Sequence, residues 1–116
     1  MKTITIAKGT KLLEVPNPVK PSTHLVYELG ASIDVVVTED TTGTHIKYRA
    51  ENGVEVKASA YGEKQGVEDF KGILVNLYRE NKGRTEDEYT APVKRMLEAL
   101  EPIVKVEEIA APEIFR

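Results

Sequence analysis

The residues that could do chemistry in this chain are few and scattered. Its 116 residues contain two histidines, His24 and His45, and no cysteine. Neither histidine has a second histidine or a carboxylate at the spacing of a known metal-binding motif. The lack of cysteine excludes disulfides, thiolate metal sites and cysteine nucleophiles. We therefore predict no metal site and no cofactor, and we interpret His45 as a solvated side chain on a strand.

Carboxylates and serines give no better support for catalysis. Neighbouring carboxylates occur at Glu39-Asp40, Glu68-Asp69, Glu86-Asp87-Glu88 and Glu107-Glu108. General acid–base catalysis needs two carboxylates in different environments across a cleft, and neighbours in sequence do not indicate that. The serines Ser22, Ser32 and Ser59 lie outside any nucleophile-elbow motif. We expect a protein that is not an enzyme.

Basic residues next to tyrosines form the candidate binding site. Arginine can stack on an aromatic base and also pair with a phosphate, as compact nucleotide sites require. On this chemistry the candidate ligand-binding residues are Arg49, Lys57, Tyr61, Arg79 and Arg84. Two alternatives stay open. Arg49 and Lys57 could belong to a solvated face of the sheet. Arg79 and Arg84 could lie where they do because cations are stabilised at the negative end of a helix.

Composition limits the partners. The net charge is −3 and the pI is about 5.5, which argues against nucleic acid and anionic membranes because both attract basic surfaces. Hydrophobic residues make up 41% and charged residues 30%, an ordinary globular composition. No apolar run approaches the ~18 residues of a membrane span. We expect a single domain over 1–116, located in the cytoplasm.

The elements that must position these residues begin with a β-meander. Asn52-Gly53 is a strong hairpin signal, and a three-residue loop pairs Tyr48 with Val56 and Ile46 with Ala58 on one apolar face. Gly53 then takes the left-handed position. The same test pairs Val37 with Ile46 and places 25–29 beside 33–37. The opposite face of the sheet carries Lys47 opposite Lys57 and Arg49 opposite Glu55.

Two amphipathic helices follow the strands. Phe70, Leu74 and Leu77 belong to one apolar stripe at helical spacing, with Gly83 expected as a left-handed cap, and Val93, Leu97 and Leu100 belong to a second. An apolar sheet face needs a cover, which these helices can supply. The predicted fold class is α+β, an antiparallel β-meander of four to six strands covered on one face by two C-terminal amphipathic helices.

Both ends of the chain lie outside that scheme. Residues 8–23 hold three prolines and are expected to form an extended arm after a first strand at 2–7. Residues 103–116 form an apolar tail that must dock on its own domain or on another subunit, which favours a homo-oligomer. The candidate interface residues are Val104, Val106, Ile109, Ile114 and Phe115.

The stretch 53–83 resembles a pattern found in small phage- and prophage-encoded α+β accessory proteins. The matching positions are Val56-Lys57-Ala58 on a strand, Asp69-Phe70, Gly72 and the helix through Tyr78-Arg79. The cysteine and the second aspartate of that pattern are missing here. The resemblance implies a phage-encoded accessory protein and assigns no activity or functional residue.

From these observations we expect a non-catalytic binding protein, phage-derived, that inhibits or sequesters a host defence component. Its partner would be a small nucleotide signal or a host effector protein. One alternative is a structural or assembly protein of a virion, tied together by the tail. Another is a nucleic-acid-binding module that uses the polar strand face, which the net charge disfavours.

Overall fold

The computed structural model describes residues 1–111, apart from the side chain of Glu86. It is an α+β protein with seven strands and two α-helices among these residues. The strands are β1 (Lys2–Ile6), β2 (Lys11–Pro16), β3 (Thr23–Leu29), β4 (Ile33–Asp40), β5 (Gly43–Arg49), β6 (Glu55–Ala60) and β7 (Val104–Ala110), and the helices are α1 (Glu63–Lys82) and α2 (Ala91–Leu100). A short 3-10 turn at Glu86–Glu88 lies between the helices.

The strands form two antiparallel sheets. Sheet A has the order β1-β4-β5-β6, and sheet B has the order β2-β3-β7. The predicted meander is therefore correct for β4, β5 and β6 and wrong for β3. Strand β4 pairs instead with β1, with Ile4 opposite Val35. Both β1 and β3 alternate apolar and polar residues, so either satisfies the register test and their alternation cannot identify the partner.

The β5–β6 hairpin has the predicted register. Ile46 lies opposite Ala58 and Tyr48 opposite Val56, and the Ala50 amide donates to the Val54 carbonyl at 2.8 Å. Gly53 has φ of 88°, the left-handed conformation that glycine adopts without a steric penalty. The β4–β5 register is confirmed as well, with Val37 opposite Ile46.

The N-terminal segment is a strand rather than the predicted extended arm. Strand β2 pairs with β3 along the edge of sheet B, with Val15 opposite Leu25. Pro16 is its last residue, at an edge position where a missing amide proton breaks no ladder hydrogen bond. The prolines therefore end this strand and do not prevent it.

Helix α1 packs against strands of both sheets and against α2. Phe70, Leu74 and Val75 on its buried side have no solvent exposure. Gly66 lets the helix approach sheet A closely, because a Cβ there would lie 3.1 Å from Cγ1 of Ile46. The predicted apolar stripe of α1 is thus the centre of the hydrophobic core.

Helix α2 has a different place from the predicted one. It packs on α1, and two hydrogen bonds of 2.8 Å join Arg95 to Asn52 in the β5–β6 turn. The predicted left-handed cap at Gly83 is also wrong, since its φ is −81° and its amide continues the helix by bonding to the Arg79 carbonyl. Because α2 lies on α1, the cover of the sheets comes chiefly from α1.

Truncating the α1 stripe should strongly destabilise the protein. We expect Leu74→Ala to lower the free energy of unfolding by about 2–5 kcal/mol, because the cavity forms in a fully packed core. Urea denaturation monitored by circular dichroism measures this change. Asn76→Ala, at an exposed position of the same helix, should stay within about 0.5 kcal/mol of the parent protein. Equal effects of the two substitutions would contradict the central position of α1.

Candidate functional site

A groove lies between sheet B and the C-terminal half of α1, and we call it the tyrosine groove. Its volume is about 390 Å³, and it is a shallow, open depression rather than an enclosed cleft. Its lining residues come from β3, β7 and the end of α1: Leu25, Tyr27, Tyr78, Arg79, Lys82, Gly83 and Val106. Most of this surface is apolar, and two cations stand at the helix end of it.

Two tyrosines give the groove its aromatic wall. The rings of Tyr27 and Tyr78 meet edge to face, with centroids 6.4 Å apart and planes at 70°. The guanidinium carbon of Arg79 lies 5.8 Å from the Tyr27 ring centroid, a cation–π distance. Tyr27 is buried, so its ring is held by packing. Because Tyr27 is buried and Arg79 lies over its ring, the half-buried Tyr78 is the aromatic surface that faces the groove.

The cations of this region differ in their partners. The Lys82 ammonium lies 3.3 Å from Oε2 of Glu101, and that hydrogen bond raises the pKa of Lys82 above its usual value. Arg84 follows the lining residue Gly83 in the sequence, and its guanidinium lies 3.8 Å from a Glu88 carboxylate oxygen. Among the side chains that the structure describes, which leave out Glu86, Arg79 forms no ion pair. Arg79 is therefore the cation of the groove that is available to an incoming anion.

The outward face of sheet A carries the other predicted cations. As predicted, Lys47 lies opposite Lys57, and Arg49 lies opposite Glu55. The Glu55 carboxylate is within 3.7 Å of the Lys47 ammonium and 3.5 Å of the Lys57 ammonium. One carboxylate thus offsets the repulsion between two lysines, which fits the interpretation of this face as solvated ion pairs.

The five predicted ligand-binding residues do not form one site. Arg79 and Arg84 lie at the C-terminal end of α1, whereas Arg49 and Lys57 belong to the face of sheet A opposite that helix. Tyr61 is 91% exposed and precedes α1, about 24 Å of helix away from Arg79. Tyr27, which was not among the predicted ligand-binding residues, completes the tyrosine groove.

A hydrogen-bonded chain of side chains at the β4–β5 turn was also missed. His45 Nδ1 is 2.7 Å from Oγ of Ser59, and His45 Nε2 is 2.9 Å from Oγ1 of Thr42 and 3.1 Å from Oδ1 of Asp40. The predicted β5–β6 register already placed His45 opposite Ser59, so the signal was present in the sequence. His45 is partly exposed on the polar face of its strand, and it is also hydrogen-bonded within a Ser–His–Asp chain.

The protons of this chain can be assigned from its hydrogen bonds. The Thr42 hydroxyl and amide both donate to Asp40, and together with His45 they lower the pKa of Asp40 to about 2. The ionised carboxylate favours a proton on Nε2 of His45. In the neutral tautomer that carries its proton on Nε2, Nδ1 accepts a hydrogen bond from the Ser59 hydroxyl. This assignment is the one in which His45 could take a proton from Ser59.

The other histidine has a structural role. His24 Nδ1 lies 2.8 Å from Oε2 of Glu14 across the β2–β3 pair, and Lys11 lies 2.6 Å from the other Glu14 oxygen. Hydrogen bonds from Lys11 and His24 lower the pKa of Glu14. The three side chains therefore tie the edge strand β2 to β3. Among the described residues, no three histidine, aspartate or glutamate side chains are grouped to hold a metal ion.

The candidate interface residues belong to β7 or follow it. Val104 is buried, whereas Val106 and Ile109 are 43% and 37% exposed. Ile114 and Phe115 lie outside the described residues. Strand β7 docks on β3 of its own chain along its whole length, with Tyr27 opposite Val106. Of the two alternatives, docking on its own domain is the one present for 104–110, and the side chains of Val106 and Ile109 remain exposed.

The chain was compared with known proteins at three levels. No protein-family model, no curated protein and no solved structure matches it. Within the described residues, no helix combines the length and the apolar character needed to cross a membrane.

The Asp40 carboxyl should titrate near pH 2 in the folded protein. Because its pKa is lowered from 3.8 to about 2, its contribution to stability is complete above the unfolded value and is lost as the pH falls through the folded one. Carbon-detected NMR of the aspartate carboxyls measures this titration. Thr42→Ala should raise the midpoint toward 3.8, and Thr42→Ser should leave it low. A parent midpoint near 3.8 would show that the turn hydrogen bonds do not persist in solution.

Proposed function

We propose that this protein is a non-catalytic binding protein that sequesters a small aromatic anion of the nucleotide class in the tyrosine groove. The observation that carries the proposal is the position of the Arg79 guanidinium over Tyr27, beside the Tyr78 ring. A nucleotide presents a flat ring and a phosphate, and these are the two features that such a wall and cation recognise.

The polarity of the groove supports the same class of ligand. Leu25 and Val106 give it an apolar floor, which suits a base and disfavours a fully hydrated inorganic ion. Arg79 supplies the positive charge for one phosphate. Arg84 is the next residue after Gly83, which lines the groove. The negative net charge of the whole chain disfavours long polyanions, since these need an extended basic surface.

The resemblance to phage-encoded accessory proteins suggests the biological setting. We propose that the ligand is a host signal and that capture lowers its free concentration, which is an anti-defence role. Inhibition of a host effector protein is the competing form of this function. If the protein inhibits a host effector protein, the groove residues contribute to binding of that protein and free nucleotides do not bind.

Nucleotide binding should depend on Arg79. We expect the groove amides in a ¹⁵N-labelled sample to shift on titration with one or more members of a panel of purine and pyrimidine mononucleotides, linear and cyclic. Arg79→Gln should weaken that binding about tenfold or more, because a charge-assisted bond to phosphate is lost. Arg49→Gln, on the opposite face of sheet A, is the matched control and should leave binding unchanged.

Two results would overturn this assignment. If no nucleotide of the panel shifts the groove amides at millimolar concentration, the ligand class is wrong. If Arg79→Gln and Arg49→Gln weaken binding equally, the groove is not the site.

The Ser59–His45–Asp40 chain favours a second candidate function, the hydrolysis of activated esters. Ser59 Oγ would form a bond to the acyl carbon while its proton moves to Nδ1 of His45. That proton would then leave with the alcohol, and water would release the acid from Ser59 by the reverse route. His45 and Ser59 border a surface depression that Lys47 and Lys57 also line. Both lysines already form ion pairs with Glu55. Because these two lysines are already paired, they are poor partners for an oxyanion, and this is the weaker candidate.

Esterase assays decide this second candidate. Hydrolysis of p-nitrophenyl acetate above the rate of free imidazole should be abolished by Ser59→Ala. It should be unaffected by Ser22→Ala, because Ser22 is an exposed serine that does not bond to His45. The same rate in the parent protein and in Ser59→Ala would exclude Ser59 as a nucleophile.

A further inference from the structure

Strand β7 ends sheet B with one side open. It pairs with β3 on its inner side, and within residues 1–111 no strand pairs with its outer side. Every residue of β7 after Val104 is exposed, including Val106 and Ile109. Open strand edges with apolar side chains are templates for pairing with another strand.

The backbone groups of that open side can be identified. The Ile103 carbonyl accepts from the Gly30 amide, and the Ala111 amide donates to the Ser22 carbonyl. Both bonds run to the β3 side of the strand. Successive residues of a β-strand direct their backbone amide and carbonyl to opposite sides. The odd-numbered residues of β7 therefore bond to β3. Val104, Val106, Glu108 and Ala110 direct their amides and carbonyls outward.

From this edge we propose that two copies of the chain pair antiparallel through β7, centred on Val106. A two-fold axis perpendicular to the sheet then places Val106 opposite the second copy's Val106, in a hydrogen-bonded position. Lys105 lies opposite Glu107 of the second copy, and symmetry repeats this pair. The two pairs occupy non-hydrogen-bonded positions, where opposing side chains are closest.

Charge selects this register over its neighbours. Pairing centred on Lys105 or on Glu107 places a like charge on the axis opposite its own copy, which destabilises a sheet. Centring on Val106 converts the same residues into two attractive pairs. Glu107 forms no ion pair within the described residues, so its carboxylate is available for one. Among the described side chains, Lys105 pairs with Glu28 alone, at 3.7 Å.

The pairing joins the two tyrosine grooves. Val106 lines the groove and would lie at the centre of a six-stranded sheet. The two Tyr27-bearing strands would be three strand spacings apart, about 14 Å. The two grooves would then form one surface with both Val106 side chains in its floor. This shared site rests on the proposed function, whereas the pairing itself does not.

Sedimentation equilibrium of the full chain across a dilution series tests the pairing. We expect a reversible monomer–dimer equilibrium with a dimer of twice the 12.9 kDa chain mass. Lys105→Glu and Glu107→Lys should each weaken the dimer about tenfold, because each turns two attractive cross-strand pairs into repulsive ones. The double variant K105E/E107K restores both pairs in reversed order and should dimerise as the parent does. Lys94→Glu, at an exposed position of α2, controls for the change of net charge.

Three outcomes would overturn the proposal. They are a monomer at every concentration, a dimer indifferent to both single substitutions, and a double variant weaker than either single one. Thermal unfolding of each variant separates lost pairing from lost folding. Arg79→Gln should leave the dimer mass unchanged while it weakens nucleotide binding, so failure of the pairing and failure of the proposed function are distinguishable.

Discussion

Burial of the α1 stripe is the interaction on which the rest of the structure depends. Each sheet presents one apolar face, and neither sheet can remove that face from water alone. Phe70, Leu74 and Val75 fill the space that both sheets leave. Because one helix contacts strands of both sheets, the position of α1 fixes how sheet A and sheet B are joined. Gly66 permits the close approach to Ile46 on which that packing relies.

The same helix creates the tyrosine groove. Its N-terminal part lies over sheet A, and its last turns reach Tyr27 and Leu25 on sheet B. Cations in the last turn are favoured by the negative end of the helix dipole, so Arg79 and Lys82 are stabilised where they stand. Glu101 partly neutralises Lys82. The helix end thus supplies the charge and sheet B supplies the apolar and aromatic surface, and neither element forms the site alone.

Two other clusters of polar side chains contain a histidine and a carboxylate but differ in what they do. The Glu14–His24–Lys11 group joins an edge strand to its neighbour. The Asp40–Thr42–His45–Ser59 group spans a hairpin turn and three strands, and its turn hydrogen bonds keep Asp40 ionised. Both groups satisfy polar side chains on a sheet surface. The second also orients a serine hydroxyl toward an unprotonated histidine nitrogen, an arrangement that carries chemistry only where an oxyanion can be stabilised.

The local features of the fold can be predicted from the amino-acid sequence. The β5–β6 register, the left-handed Gly53 and the apolar stripe of α1 follow from turn chemistry and periodicity, because a short loop permits few registers and a helix repeats every 3.6 residues. The same register placed His45 opposite Ser59. Which strands are neighbours when they are far apart in the chain depends instead on tertiary packing. The pairing of β4 with β1, the strand at Lys11–Pro16 and the meeting of Tyr27 with Arg79 are of this kind. Several strands have equally apolar faces, so the choice among them depends on how all the faces can be buried together around one helix.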